Sequence, residues 1–315
     1  GLFNRQTLRI YLDPFNLYET KEFLLANDID WSIRDICECY MIMGGIPYYL
    51  NMLDSALTLN ENIDNMFFRK RCSLWDEFDR LYSTLFNNDP KYVKVVEALS
   101  KKKSGLTRKE LVDDYNFADN GNLTTILKNL LDSGFVKTVN CIGGRKSTLY
   151  KLADYFTLFY FKYVKDNYGV NEHFYRNTSN SASRRIWNGF SFELVCFDHI
   201  NQIKQKLGVS GIISKDYSYY VKGNDEEKGT QIDLIIDRKD RVSSLCEIKF
   251  YDSEYTIDKD YYDDLINKKE VYLETSPTKN SVQMVMITSY GLTNSKYNNL
   301  INRSIKLEDL FIQND

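Results

Sequence analysis

Two short apolar runs in the last third of the chain constrain its fold more than any other feature. Residues 231–237 read Gln-Ile-Asp-Leu-Ile-Ile-Asp, and residues 244–250 read Ser-Leu-Cys-Glu-Ile-Lys-Phe. Each run has the length of a strand, and the polar turn Arg-Lys-Asp-Arg at 238–241 separates them. The pattern predicts two adjacent strands of a mostly hydrophobic sheet.

Three charged residues interrupt these runs, namely Asp233, Glu247 and Lys249. Because side chains alternate between the two faces along a strand, Glu247 and Lys249 share one face. An unpaired ion buried in such a sheet costs roughly several kcal/mol. A chain that accepts this cost usually places a metal ion or a reaction there. Glu193, on a helix predicted over 183–206, supplies a further carboxylate ahead of the strands.

The order of these residues resembles the PD-(D/E)xK nuclease site: an acid on a helix, an acid on a strand, then acid-x-lysine. The resemblance implies that Glu193, Asp233 and Glu247 bind Mg²⁺. Lys249 would orient or activate a water molecule while the metal polarises the phosphodiester. Asp233, Glu247 and Lys249 are therefore the candidate catalytic residues. A second interpretation is open, in which Glu247 and Lys249 form an ion pair at the end of the sheet and Asp233 caps a strand.

Composition limits the remaining possibilities. The 315 residues suit two or three domains, and 43% of them are hydrophobic, which is enough to fill real cores. The net charge of −3 means that any nucleic-acid binding depends on local patches. No run long enough to cross a membrane and no signal-like segment is present, so we expect no membrane partner and a cytoplasmic location. Cys37-x-Cys39 lacks a partner pair for zinc, and reduced thiols are the simpler interpretation.

Residues 89–153 have the pattern of a winged helix. Three helices are predicted over 92–99, 108–115 and 122–133, followed by strands over 135–140 and 147–152 around a glycine-basic tip. Such modules bind DNA with the third helix in a groove, and they also dock proteins. Basic side chains near the predicted DNA-facing surface are candidate phosphate contacts, although a solvated surface explains them equally well: Lys101, Lys102, Lys103, Lys128, Arg145 and Lys146.

Residues 40–50, Tyr-Met-Ile-Met-Gly-Gly-Ile-Pro-Tyr-Tyr-Leu, resemble the helical lid of a family of prokaryotic AAA-like ATPases. Residues 9–15 and 21–24 are similar to the strand and helix between the core and the lid. Members of this family have a P-loop core, the lid, a winged helix and a carboxy-terminal PD-(D/E)xK-like domain. The resemblance implies ATP hydrolysis in a complete protein. This chain has no G-x-x-x-x-G-K-[ST] motif, so ATP would bind only through an amino-terminal core that the chain lacks.

The predicted fold class is therefore multidomain α+β, read as the carboxy-terminal portion of such an ATPase. We expect the end of the core and the lid over 1–88, a winged helix over 89–153, and a restriction-endonuclease-like α/β domain with a mixed central sheet over 154–315. The leading hypothesis for function is a metal-dependent nuclease acting on DNA, partnered by its own ATPase core. The alternative is a non-catalytic regulatory module that binds DNA or protein within an ATP-dependent switch. No oligomeric state is predicted.

Overall fold

The computed structural model describes residues 12–140, 148–221, 229–277 and 279–313. These residues form a mixed α/β fold that is rich in helix. Two helices continue into wider π turns, at Asp64–Phe68 and Tyr160–Val164, and two 3-10 turns lie at Lys296–Leu300 and Leu307–Leu310. The α-helices are α1 Leu17–Ala26, α2 Ile33–Met43, α3 Pro47–Leu50, α4 Leu59–Ile63, α5 Glu77–Leu85, α6 Pro90–Ser100, α7 Arg108–Tyr115, α8 Gly121–Asp132, α9 Tyr155–Phe159, α10 Lys165–Asn167, α11 Phe174–Asn177, α12 Ala182–Asp198, α13 Ile200–Leu207 and α14 Lys259–Thr275.

The strands form two sheets. A small antiparallel sheet has the order β1-β3-β2, and a five-stranded sheet has the order β4-β5-β6-β7-β8. In the larger sheet β4, β5 and β6 are antiparallel, whereas β6, β7 and β8 are parallel, so this sheet is mixed. The strands are β1 Leu106–Thr107, β2 Val136–Asn140, β3 Thr148–Leu152, β4 Ser214–Val221, β5 Thr230–Arg238, β6 Val242–Lys249, β7 Ser281–Thr288 and β8 Arg303–Lys306.

Helices cover both faces of the larger sheet, which explains why its central strands are nearly continuous apolar runs. Helix α14 forms the crossover between the parallel strands β6 and β7 and covers one face. Helix α12 packs on β6 from the opposite face. Leu245 accordingly joins the core under α14, and the next residue, Cys246, joins the larger core that contains α12. The two predicted strands over 231–237 and 244–250 correspond to β5 and β6.

One hydrophobic core runs through all three predicted domain ranges, from Leu17 to Leu310. Polar contacts reinforce it between distant parts of the chain. The Leu17 amide donates a 2.8 Å hydrogen bond to Nε2 of buried His199, which lies 182 residues later in the chain. The guanidinium of Arg34 on α2 bonds the Tyr251 carbonyl oxygen at 2.8 Å and lies 4.5 Å from the Phe250 ring centroid. The boundaries at 88/89 and 153/154 stay predictions.

The backbone of Gly45 makes a close contact that only glycine permits. Its carbonyl oxygen accepts a 2.8 Å hydrogen bond from the Phe15 amide. A Cβ at Gly45 would lie 1.8 Å from the Phe15 carbonyl oxygen. The Gly-Gly run after α2 therefore has a structural role, since it lets the segment before α1 cross directly over the end of α2.

Two helices are shorter than the sequence predicts. The helix predicted over 56–86 is wrong as a single element, because the chain leaves helical geometry between Asp64–Phe68 and α5, where Arg71 has a left-handed φ of 59°. The helix predicted over 183–206 is also interrupted, since α12 ends at Asp198 and α13 begins at Ile200. The ring of His199 between them bonds the Val195 carbonyl oxygen at 2.8 Å as well as the Leu17 amide, which holds the chain at the break.

Two further element predictions need correction. The strand predicted over 211–213 is wrong, because the Ile212 amide closes a turn onto the Val209 carbonyl oxygen and β4 begins only at Ser214. The helix predicted to start near Thr256 begins at Lys259, capped by the Asp258 side chain. The predicted first strand, over 8–12, lies almost entirely outside the described residues. No helix within the described ranges has the length and apolar character to cross a bilayer.

Candidate functional site

The site predicted from the sequence lies where β5 and β6 separate. Their antiparallel ladder extends as far as Leu234, which lies opposite Cys246. The residue before Leu234 contacts β6 through its side chain. Oδ2 of Asp233 accepts a 2.9 Å hydrogen bond from the Ile248 amide. Ile248 lies between Glu247 and Lys249 in β6. Asp233 is thus anchored directly beside the acid-x-lysine triplet, as the hairpin predicted.

Glu247 is completely buried. Its Oε2 accepts hydrogen bonds from the Lys268 ammonium at 2.7 Å and from the Tyr261 hydroxyl at 3.0 Å, both from α14. Its Oε1 is buried and has no hydrogen-bond partner among the described residues. Burial and then the charge of Asp233 raise the pKa of Glu247 to about 7, against the opposing charges of Lys268 and Lys249.

Glu193 belongs to α12 and reaches the site from the other face of the sheet. Burial, followed by the negative charge of Asp233, raises the pKa of Glu193 to about 7, and the charges of Lys151, Lys103 and Lys249 oppose this rise. Asp233 and Lys249 both act on the two raised carboxyl groups, since the Asp233 charge raises each pKa and the Lys249 charge opposes the rise. Such a pair of carboxyl groups that ionise near neutral pH is suited to holding or releasing a proton.

Lys249 is partly exposed, and its ammonium lies 4.8 Å from the centroid of the Tyr261 ring. It is therefore not the ion-pair partner of Glu247 that the second interpretation of the sequence proposes. Lys268 fills that place instead.

Sequence reasoning missed two residues of the site, Lys268 and Tyr261. A signal for them was present in α14: Tyr261, Leu265, Lys268 and Tyr272 follow one another at the spacing of a single helix face. Leu265 and Tyr272 are buried against the sheet. A lysine within a buried stripe is a sign of a buried acid opposite, yet the spacing alone does not say which acid.

The donors fit Mg²⁺ in their chemistry. They are all carboxylate oxygens, and the buried Oε1 of Glu247 lacks a partner within the described part of the chain. No three or more His, Cys, Asp or Glu side chains in that part are arranged to hold one metal ion together. Mg²⁺ commonly takes one or two carboxylates, several waters and a substrate phosphate, so Asp233 and Glu247 would be its ligands.

The lysines predicted to contact nucleic acid have different surroundings. Lys102 bonds to Glu110, and Lys128 is exposed on α8. Lys101 and Lys103 line a cavity between α6 and α12. Arg145 and Lys146 lie outside the described residues. The five cysteines that the structure describes are free and buried, in agreement with reduced thiols.

Comparison with known proteins yields little. No family model matches the chain, and no curated protein matches it significantly. A solved structure, that of protein VC1899 from Vibrio cholerae, is similar over 76% of this chain at 12% sequence identity, with a TM-score of 0.27. The chain spans about half of that protein, 53% of its length. A match at this level supports no assignment of family or function.

Proposed function

We propose that the chain is a DNA-cleaving phosphodiesterase module that belongs to a larger AAA-like ATPase. The observation that carries the proposal is the anchoring of the Asp233 carboxylate on the amide of Ile248, between Glu247 and Lys249. Within this proposal, one completely buried acid and two partly buried acids lie beside a partly exposed lysine. That arrangement suits hydrolysis of a phosphodiester better than it suits a purely structural strand pair.

The domain arrangement in this proposal follows the chain order. Helices α6, α7 and α8, followed by the β2–β3 hairpin with β1 beside it, support a winged helix. The mixed sheet with α12 before it and α14 as its parallel crossover supports a restriction-endonuclease-like domain. ATP hydrolysis would belong to a P-loop core outside this chain, and helices α1–α3 would form part of its lid.

Each side chain has a distinct role in the proposed chemistry. Asp233 and Glu247 would hold a divalent cation, which when bound polarises the phosphodiester and acidifies its water. Lys249 would orient the attacking water through its partly exposed side chain. The pKa of Glu193 is raised to about 7, chiefly by burial and secondly by the charge of Asp233. Glu193 is therefore suited to accept or return a proton near neutral pH. Lys268 would neutralise Glu247 in the resting protein.

The test is cleavage of DNA in the presence of Mg²⁺ or Mn²⁺. We expect Asp233→Asn and Lys249→Met each to lower the rate by a factor on the order of one hundred or more, as loss of such groups usually does. Asp237→Asn is the matched control, because Asp237 lies on the same strand and instead bonds Ser243 and Asn280. Cleavage that persists in both site variants would refute the proposed site.

A second candidate function rests on the burial of Glu247 under Tyr261 and Lys268. In this alternative the acids and lysines stabilise the sheet, and the chain is a non-catalytic DNA- or protein-binding module of an ATP-dependent switch. It predicts no metal-dependent cleavage in any variant. It also predicts that replacing the whole pair, by Glu247→Gln with Lys268→Met, leaves DNA binding unchanged.

A further inference from the structure

A lysine-rich cavity of about 410 Å³ lies along α12, the helix that also carries Glu193. It is bounded by the end of α6, the π turn Tyr160–Val164 and the first half of α12. Its lining combines four lysines with two acids and aromatic side chains, in a chain whose overall charge is −3. The cavity therefore concentrates positive charge locally against the sign of the whole molecule.

The two acids of the lining, Glu97 and Asp166, offset only part of this positive charge. Of the four lysines, Lys165 pairs with Glu97 at 2.8 Å. Lys101, Lys103 and Lys162 have no ion pair with any residue in the described ranges. The lining therefore keeps a net positive charge, and a polyanion that binds there relieves the repulsion between the lysines.

Lys103 connects the cavity with Glu193. The Lys103 ammonium lies 5.2 Å from the centroid of the Phe190 ring, and that of Lys151 lies 5.4 Å from the same ring. Phe190 precedes Glu193 by three residues on α12, so the two side chains lie on neighbouring turns of one helix face. Lys103 and Lys151 both act electrostatically on Glu193. Lys103 thus borders the cavity on one side and the carboxylate site on the other.

We propose that this cavity binds backbone phosphates of the DNA strand whose neighbouring phosphodiester reaches Glu193 and Asp233. Phosphate binding in the cavity stands by itself, whereas the delivery of the neighbouring phosphodiester to the acids rests on the proposed function. Lys101, Lys103 and Lys162 contact the phosphates, and the Phe190 ring holds the Lys103 ammonium toward the acids. The strand thereby runs between the predicted winged helix and the predicted nuclease-like domain, rather than along α8 and its wing.

Binding without metal tests the cavity separately from cleavage. The probe is a fluorescein-labelled single-stranded oligodeoxynucleotide of about 20 residues, followed by anisotropy in EDTA from about 50 to 200 mM salt. In Lys103→Gln with Lys162→Gln, we expect affinity at roughly 0.1 M salt to fall about 25-fold and the salt slope to decrease by about 1.4, since each single-strand phosphate contact contributes about 0.7. Lys239→Gln with Lys279→Gln removes the same charge from exposed positions and should change affinity less than about twofold.

The outcomes separate the two proposals. If the cavity variant binds the oligonucleotide like wild type, or if the control loses as much, the cavity proposal is overturned. If tripolyphosphate at equal phosphate concentration displaces the strand completely, the site binds small anions and the proposal also fails. A wild type that binds with the expected salt slope but never cleaves would remove the proposed function and leave the cavity in place. If the cavity variant binds with normal affinity and still cleaves, the cavity proposal fails and the proposed function stands.

Discussion

The pair formed by Glu247 and Lys268 makes a prediction with an unusual dependence on pH. Replacing Lys268 with Met keeps the length of the side chain and removes the cation 2.7 Å from a completely buried carboxylate. A static view would assign a cost of about 3–5 kcal/mol at every pH, the range for an orphaned buried charge. The folded protein has a cheaper response, however, because Glu247 can take up a proton.

The size of the destabilisation depends on the pKa of Glu247, which is raised to about 7, chiefly by burial and secondly by the charge of Asp233. Because this pKa is higher in the folded than in the unfolded state, protonated Glu247 is the form that folding favours, and stability decreases as pH rises from about 4.5 to 7. Below that range Lys268 faces a neutral acid, and its loss costs little. Above pH 7, protonation costs about 1.4 kcal/mol per pH unit, so Lys268→Met should destabilise by about 1.4 kcal/mol at pH 8 and about 2.7 kcal/mol at pH 9.

The assay is urea denaturation followed by far-ultraviolet circular dichroism for wild type and Lys268→Met, at about pH 5, 7, 8 and 9. The same substitution in a Glu247→Gln background is the control and should show no trend with pH, since no acid is left to titrate. A destabilisation that is equal at all four pH values would refute the reasoning. A constant large cost would mean that Glu247 ionises at its ordinary pKa, and a constant zero would mean that the pair does not form.

Three further predictions concern other parts of the structure. Gly45→Ala should destabilise by at least about 3 kcal/mol because its Cβ meets backbone, whereas Gly189→Ala, in open space on α12, should be neutral or stabilise by up to about 1 kcal/mol in thermal unfolding. His199→Ala should cost about 2 kcal/mol at neutral pH, since it leaves the Leu17 amide without an acceptor. Burial lowers the pKa of His199, so wild type should lose this stabilisation as pH falls below about 6.5, and chemical denaturation of the variant should lack that acid-side loss. Asp233→Asn should lower the pKa of Glu193 and of Glu247, because the charge of Asp233 raises both. Carbon-detected NMR titration measures this change, and unchanged titrations would contradict the electrostatic contact of Asp233 with the two acids.

The predicted strands β5 and β6 were accessible from the sequence because their signal is local. An apolar run of strand length, with a polar turn at its end, needs no knowledge of the rest of the chain. The same holds for the pairing of Asp233 with the Glu247–Lys249 triplet, which follows from a hairpin. Local patterns have no information about the break at His199, whose ring is fixed by an amide 182 residues away.

The parts of the site that were missed depend on tertiary contacts. In the sequence, Lys268 is recognisable only as a lysine within an apolar stripe. Its partner Glu247 lies on β6, and a loop separates β6 from α14. The sequence also placed Glu193 among the acids without indicating that α12 covers the opposite face of the sheet.

The hydrogen bond between Leu17 and His199, together with the contacts of Arg34 at the end of β6, has a practical consequence for dissecting this chain. The predicted domain borders are natural places to cut when preparing shorter pieces. A piece that begins at residue 89 would lose α1 and α2, expose the faces of α9 and α12 that they cover, and leave His199 Nε2 without its donor. Excision at the borders read from the sequence should therefore give insoluble material, and a soluble minimal piece should retain the helices that precede residue 44.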